Sequence, residues 1–191
     1  MKKFELTSEF ITNVLGTKLF RIKALVEFGD VSAGELGGYI EKEGNLSQDG
    51  NAWVYDNAKV SGNARVSGNA RVYGNARVSG NAWVSGNAKV SGNACVSDNA
   101  CVSGNARVYG DADYATAKGF GSVFRTTTFF RTKDKAIGVS CGCFYGTLEE
   151  FRDKVRETHG DSKTAKEYLM LADLMEYKFS CEMDVEEEVN Q

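Results

Sequence analysis

Hydrophobic positions recur every six residues through the middle of the chain. Ten valines keep this spacing without interruption from Val54 to Val108, and an alanine stands two residues before each of them. Gly-Asn or Asp-Asn pairs fill the positions between, as in Gly62-Asn63. A six-residue period fits neither an isolated helix nor the two-residue alternation of a strand, and regular repetition of this kind indicates a solenoid.

The residue types of the repeat explain how such a coil would form. Valine is stiff and β-branched, so it suits an extended position that faces inward. The alanine also faces inward, where a corner leaves little room, and Gly and Asn readily adopt the positive φ that a tight corner requires. Each hexad therefore predicts a short strand plus a turn, three hexads predict one triangular coil, and stacked coils would lie about 4.8 Å apart.

The flanks of the repeat set its predicted limits. Ile40 and Leu46 keep the six-residue step, so the coil is predicted to begin near Gly37. The next step, from Leu46 to Val54, is eight residues and predicts a two-residue bulge around Gln48-Asp49. The phrase breaks at 111–114. The predicted domains are an N-terminal lead and cap (1–36), a parallel β-helix (37–114), an α+β module (115–181) and an acidic flexible tail (182–191).

The sequence of the C-terminal module predicts both strands and helices. Alternating segments at 122–131 and 135–141 predict two strands. Thr147 and Glu150 form a capping-box pattern, so a helix should begin there and end near His159-Gly160. A second helix is predicted over about 162–175, followed by a last strand at 177–181. The residues predicted to be buried on these two helices are Leu148, Phe151, Val155, Tyr168, Leu169, Leu171, Ala172 and Met175.

The repeated phrase resembles the hexapeptide repeat of left-handed parallel β-helix proteins, over about residues 36–113. The segment before it, with Arg21–Leu25 and Gly37–Ile40, resembles the N-terminal stretch of hexapeptide-transferase-like and polymer-forming-like proteins of bacteria and phages. The phrase from Cys141 to Phe151 resembles a small module of phage-encoded proteins. The resemblance implies a mainly β fold, a left-handed parallel β-helix with three strands per coil, carrying a small C-terminal α+β module.

Charge, cysteine content and the lack of long apolar segments indicate the protein's compartment and partners. The 191-residue chain has a formal net charge of −3, which does not favour a general nucleic-acid binder. The five cysteines are too sparse for a secreted disulfide scaffold. The N-terminus lacks the apolar run of a signal peptide, and no stretch approaches the roughly 20 apolar residues that span a bilayer. We therefore expect a cytoplasmic protein with no membrane partner.

Candidate catalytic and metal-binding residues are few. Hexapeptide-repeat acyltransferases, by the resemblance, use a coil histidine as general base, whereas the single histidine here, His159, lies outside the coils. Cys141 and Cys143 have a one-residue spacing that differs from the Cys-x-x-Cys of zinc and redox sites. If that segment is a strand, both thiols point to one side, and with Cys181 and His159 they could supply four zinc ligands. Buried reduced thiols are the preferred interpretation, so no catalytic residue, metal or cofactor is predicted.

One predicted surface stands out for binding. Sorting the outward-facing residues by an 18-residue coil collects aromatic and basic side chains on a single face, which is the composition of interaction hot spots. The chain's own terminal segments or a second copy could also cover this face. The residues of the predicted binding surface are Trp53, Tyr55, Arg71, Tyr73, Lys89, Arg107 and Tyr109.

These observations favour a non-enzymatic interaction protein that uses a rigid β-helix surface. The phage resemblance implies a host defence or regulatory protein as the partner, as for an inhibitor, and the β-helix resemblance implies homo-oligomers, dimers or trimers. Nucleic acid or a nucleotide is a further possible ligand of an aromatic and basic strip. The alternatives are a hexapeptide-type acyltransferase-like enzyme and a β-helical structural, polymer-forming protein.

Overall fold

The computed structural model describes residues 2–121 and 123–180 of the chain. It divides into two compact units, Met1–Asp111 and Ala112–Gln191. The first unit is a β-solenoid of about four turns with an N-terminal hairpin, and the second is an antiparallel sheet with two helices. Neither helix in the described part of the chain has the length and hydrophobicity that crossing a membrane requires. Cys181 and the predicted acidic tail at 182–191 lie outside the described residues.

Short parallel strands build the solenoid, one for each hexad of the sequence. Three longer strands precede them: β1 (Phe4–Thr12), β2 (Lys18–Ala24) and β3 (Leu36–Ile40). A 3-10 turn follows at Glu43–Asn45. The ten hexad strands are β4 (Trp53–Val54), β5 (Lys59–Val60), β6 (Arg65–Val66), β7 (Arg71–Val72), β8 (Arg77–Val78), β9 (Trp83–Val84), β10 (Lys89–Val90), β11 (Cys95–Val96), β12 (Cys101–Val102) and β13 (Arg107–Val108).

Each hexad strand from β4 to β10 pairs in parallel with the strand 18 residues further along the chain. Val54 lies beside Val72, for example, and Val72 beside Val90. The strands therefore sort into the series β4-β7-β10-β13, β5-β8-β11 and β6-β9-β12, each in its own sheet. The ten valines and the alanines of the repeat are buried and form the core of this unit. The six-residue hydrophobic period thus predicted the inward-facing residues correctly.

Side chains and corners reinforce the stack. Equivalent asparagines hydrogen-bond from turn to turn: the Nδ2 of Asn69 donates to the Oδ1 of Asn87 at 3.1 Å, and Asn63 donates to Asn81 at 3.2 Å. Glycines such as Gly86, at φ +63°, turn the corners. Positive φ at these positions is what the Gly-Asn pairs predicted, because residues with a Cβ rarely adopt that conformation.

The first turn lacks a preceding turn, and three different donors satisfy its carbonyl oxygens. The first donor is the backbone of β3: the Tyr39 amide donates to the carbonyl oxygen of Ala58, just before β5, at 2.9 Å. The Asn45 side chain donates to the Ala64 carbonyl at 2.8 Å, and the buried Lys3 amine donates to the Ala52 carbonyl at 3.0 Å. The β1-β2 hairpin extends the β3 sheet further. Together these groups close the end of the stack.

The irregular step near the start of the coil is present where the eight-residue spacing predicted it. Ile40 pairs with Val60 and Leu46 with Val66, which are offsets of 20 residues, whereas Val54 pairs with Val72 at an offset of 18. Two extra residues therefore lie between Leu46 and Val54. The bulge at Gln48-Asp49 is confirmed.

The second unit packs one face of a sheet against two helices. Its core combines Phe129 and Val139 of the sheet with Phe151, Tyr168 and Met175 of the helices. A capping box at Thr147 begins the first helix, as predicted, and Gly160 follows its end. The elements are a 3-10 turn at Asp111–Asp113, β14 (Tyr114–Ala117), β15 (Thr127–Arg131), β16 (Ile137–Cys141), β17 (Phe144–Thr147), α1 (Leu148–His159) and α2 (Lys163–Ser180), with the strands antiparallel in this order.

The structure corrects three predictions for this unit. The last strand predicted at 177–181 is wrong where it is described, because α2 continues to Ser180 and buries Phe179 one turn beyond Met175. Strands β14 and β17 were not predicted. Cys141 and Cys143 do not lie on one strand, because Gly142, at φ +63°, turns the chain between β16 and β17.

Candidate functional site

The structure brings the seven predicted surface residues together along one sheet of the solenoid. Arg71, Lys89 and Arg107 are neighbours in register in the β4-β7-β10-β13 sheet, with Trp53 at the end of the row. Tyr55, Tyr73 and Tyr109 each follow the valine of a strand in this same sheet. The 18-residue sorting therefore grouped these residues correctly. Their accessibility differs along the row.

Trp53 is not part of an accessible surface, which corrects the prediction for this residue. Its exposed fraction is 0%. The rings of Phe4 and Phe28 pack edge-on against the indole at centroid distances of 6.2 Å and 5.4 Å. The hexad pattern places Trp53 in an outward slot, but it contains no information about the N-terminal segment that folds over the first turn. Trp53 is a core residue between that segment and the solenoid.

Asp30 of the same N-terminal segment holds the next two residues of the row. Its carboxylate accepts a hydrogen bond from the Tyr55 hydroxyl at 3.0 Å and forms a salt bridge with Arg71 at 2.6 Å. Burial alone would raise the pKa of Asp30, but these two partners outweigh it and lower the pKa. Burial and the bond to Asp30 raise the pKa of Tyr55 to about 12. The chain itself therefore neutralises this end of the face.

The other end of the row remains cationic and aromatic. Arg107 donates through one guanidinium nitrogen to the carbonyl oxygens of Ala106 and Asn87 at 2.8 Å and 3.0 Å. These bonds fix the direction of the side chain, and no carboxylate of the described residues pairs with it. Lys89 forms no ion pair within the described residues. The Tyr109 side chain is 59% exposed. We call Tyr73, Lys89, Arg107 and Tyr109 the basic-aromatic strip.

A second exposed aromatic lies on a different sheet. Trp83 is 52% exposed, and its indole N–H donates to the Ser67 hydroxyl at 3.1 Å. It lines a shallow cavity of about 390 Å³ with Arg65 and Gln48. Trp83 lies in register beside Arg65 on this sheet. The N-terminal segment covers Trp53, and the repeat pattern alone gives no information about which tryptophan that segment will cover.

The remaining candidate residues lie apart from the strip. His159 is the last residue of α1 in the second unit, so it is not a coil histidine. Cys95 and Cys101 lie on separate sheets of the solenoid. Cys141 and Cys143 of the second unit are free thiols. Among residues 2–121 and 123–180, no three histidine, cysteine or acidic side chains are arranged to hold a metal ion.

Comparisons with known proteins agree with the solenoid. The family model of the YdcK beta-solenoid repeat matches residues 58–74 and 70–86 of this chain. The two matches overlap and together cover part of the hexad region, so they identify a β-solenoid repeat rather than assign the whole chain to a family. No curated protein matches the chain.

Proposed function

We propose that this protein is a non-enzymatic interaction scaffold that binds a partner protein through the basic-aromatic strip. The observation that carries the proposal is the pair of neighbouring cations, Lys89 and Arg107, without carboxylate partners in the described chain and beside the exposed Tyr109. Arginine and tyrosine are enriched at the energetic centres of protein interfaces. An acidic surface with exposed carboxylates is the complementary partner.

Rigidity supports this function. The backbone of every strand in the row bonds to the strands of neighbouring turns, and asparagine ladders join the corners. A partner that binds to such a surface does not have to order it, so little conformational entropy is lost from this side of the interface. The strip is therefore pre-organised for recognition.

The finer description of the fold is part of the proposal. We infer a left-handed, hexapeptide-type parallel β-helix with three strands per coil. The 18-residue pairing offset and the sorting of the hexad strands into three sheets support it. The resemblance of the repeat to left-handed β-helix proteins supports the hand.

The identity of the partner is inferred from resemblance and charge. Similarity to phage-encoded proteins favours a host protein, bound in the cytoplasm, where free thiols such as Cys143 are common. Self-association through a flat face, into dimers or trimers, is the alternative use of the same strip. A nucleic-acid or nucleotide phosphate would satisfy the same cations and is a third outcome of the test below.

Site-specific photo-crosslinking tests the proposal directly. p-Benzoylphenylalanine replaces Tyr73 in the strip or, as a matched control, Arg77 on the neighbouring sheet. In host lysate we expect a discrete protein adduct from position 73, at least fivefold stronger than from position 77, and lost in the additional Lys89→Ala/Arg107→Ala background. Equal labelling from both positions, or adducts that survive the double substitution, would refute binding by the strip.

Light scattering after size exclusion separates a foreign partner from self-association. If the strip joins copies of this chain, Tyr109→Ala should reduce the measured mass to that of the 20.8 kDa monomer. A matched Ser103→Ala exchange on another sheet should leave the mass unchanged. A nuclease-sensitive adduct in the crosslinking experiment would identify nucleic acid instead.

A further inference from the structure

The second unit contains a cavity that the scaffold function does not use. Its volume is about 440 Å³, and residues of the β16-β17 turn, α1 and α2 line it. Sites for small organic molecules commonly have volumes of about 300–1,000 Å³. The cavity lies far along the sequence from the basic-aromatic strip and has its own chemistry.

Aromatic rings form one wall of this cavity. The Phe151 ring packs against two others, with its centroid 5.5 Å from that of Phe144 and 5.7 Å from that of Tyr168. Val155, one turn further along α1, continues the wall. Rings arranged edge-to-face and tilted in this way offer apolar surface to a flat hydrophobic group, which gains free energy by leaving water.

Basic side chains also line this cavity. Arg125 and Lys154 are cations, His159 lies beside them, and none of the lining residues in the described chain is acidic. The Lys154 amine forms a salt bridge with the Glu157 carboxylate at 2.7 Å, whereas Arg125 forms no salt bridge within the described residues. Arg125 therefore supplies the cation that is least neutralised by the protein itself.

The β16-β17 turn makes room for that guanidinium. Gly142 adopts φ +63°, and a Cβ built on it would collide with the Arg125 guanidinium. The absence of a side chain at Gly142 thus allows Arg125 to pack over the turn at the edge of the cavity. Cys143, exposed in the same turn, also lines the cavity.

We propose that this cavity binds a small organic anion that carries an aromatic or other flat apolar group. The carboxylate, sulfonate or phosphate of the ligand pairs with Arg125, for which a planar guanidinium is well suited. The flat group lies against Phe151 and Tyr168. This site is independent of the proposed scaffold function, and failure of one leaves the other intact.

Binding of 8-anilinonaphthalene-1-sulfonate to the full chain tests the site. The dye combines a sulfonate with aromatic rings, and N-phenyl-1-naphthylamine provides the same rings without the charge. We expect saturable binding of one anionic dye per chain, weakened at least tenfold by Arg125→Met and less than threefold by Arg125→Lys. Arg156→Met removes an exposed cation of α1 that does not line the cavity and should change affinity less than twofold. The neutral dye should be insensitive to all three substitutions.

Alkylation of thiols locates the dye without relying on fluorescence. With iodoacetamide and peptide mass spectrometry, saturating anionic dye should slow labelling of Cys143 at least fivefold, while Cys95 of the solenoid serves as the internal control and is unaffected. Equal protection of both cysteines, no protection of Cys143, or unchanged dye affinity in Arg125→Met would overturn the proposal. If Arg125→Met unfolds the second unit by circular dichroism, Arg125→Lys and the protection of Cys143 in the unsubstituted chain decide it.

Discussion

Gly86 turns a corner of the solenoid directly against the next turn, and its replacement by alanine tests how tightly the turns stack. Gly86 has φ +63°, and a Cβ built there would lie 2.8 Å from the backbone nitrogen of Gly104. Gly34 is the matched control, because it has φ +87° but nothing within 4 Å of the added Cβ. Both glycines belong to the first unit.

The expected magnitude separates into two contributions. A Cβ in the left-handed region destabilises the folded state by about 1–2 kcal/mol, and both substitutions share this penalty. Only Gly86→Ala also forces a methyl group into a closed space, and overpacking of this kind costs about 1–3 kcal/mol. We therefore expect Gly86→Ala to lower the free energy of unfolding by about 1–3 kcal/mol more than Gly34→Ala does.

Urea titration followed by tryptophan fluorescence measures this difference. Both tryptophans of the chain, Trp53 and Trp83, lie in the first unit, so the signal reports that unit alone. If Gly86→Ala and Gly34→Ala lower the unfolding free energy equally, the close approach to Gly104 does not limit the stack and the packing argument fails. Unchanged slopes of the transitions would show that both variants unfold as the same cooperative unit.

Three other outcomes are expected. Asp98 occupies a corner slot at φ +59°, so Asp98→Gly should stabilise the first unit by roughly 0.5–1 kcal/mol in the same titration, and no gain would show that this corner is unstrained. Burial lowers the pKa of Lys3 from 10.5 in the unfolded chain to about 8 in the folded protein. Between these two values the unfolded chain binds more protons than the folded one, so the free energy of unfolding should rise by about 1–2 kcal/mol from pH 8 to pH 10. This rise should disappear in Lys3→Met. Arg152 is held between α1 and α2 by Asp173 and Glu176, so Arg152→Met should cost the second unit about 1–3 kcal/mol, seen as faster hydrogen exchange in α2; unchanged exchange would refute this role.

The repeat made most of the solenoid predictable, because one physical requirement recurs at each step. Valine must face inward at every strand and a positive φ must occur at every corner, so period and composition agree throughout. The bulge after Leu46 was equally predictable from its eight-residue step, because two residues in excess of the period must form a loop between strands. The capping box at Thr147 fixed the start of α1 for a similar reason: its bonds are local in sequence.

Features that depend on distant contacts were not predictable in this way. Trp53 has the same slot as Arg71, and only the fold of the N-terminal segment over it makes the difference between core and surface. Tyr177-Lys178-Phe179 alternates like a strand, yet Phe179 lies one helical turn beyond Met175 and its burial extends α2. Strand β17 was not predicted because it is only four residues long and directly follows the turn at Gly142.

The asparagine ladders and stacked valines give the solenoid a surface that repeats itself. Moving the chain by 18 residues would again place valine over valine and asparagine over asparagine, while the hairpin and the two inserted residues mark only one end. Gain or loss of an 18-residue block in the gene would therefore change the length of the rod by about 4.8 Å and leave its cross-section intact. Such a change would lengthen or shorten the row that contains the basic-aromatic strip without any new fold having to evolve.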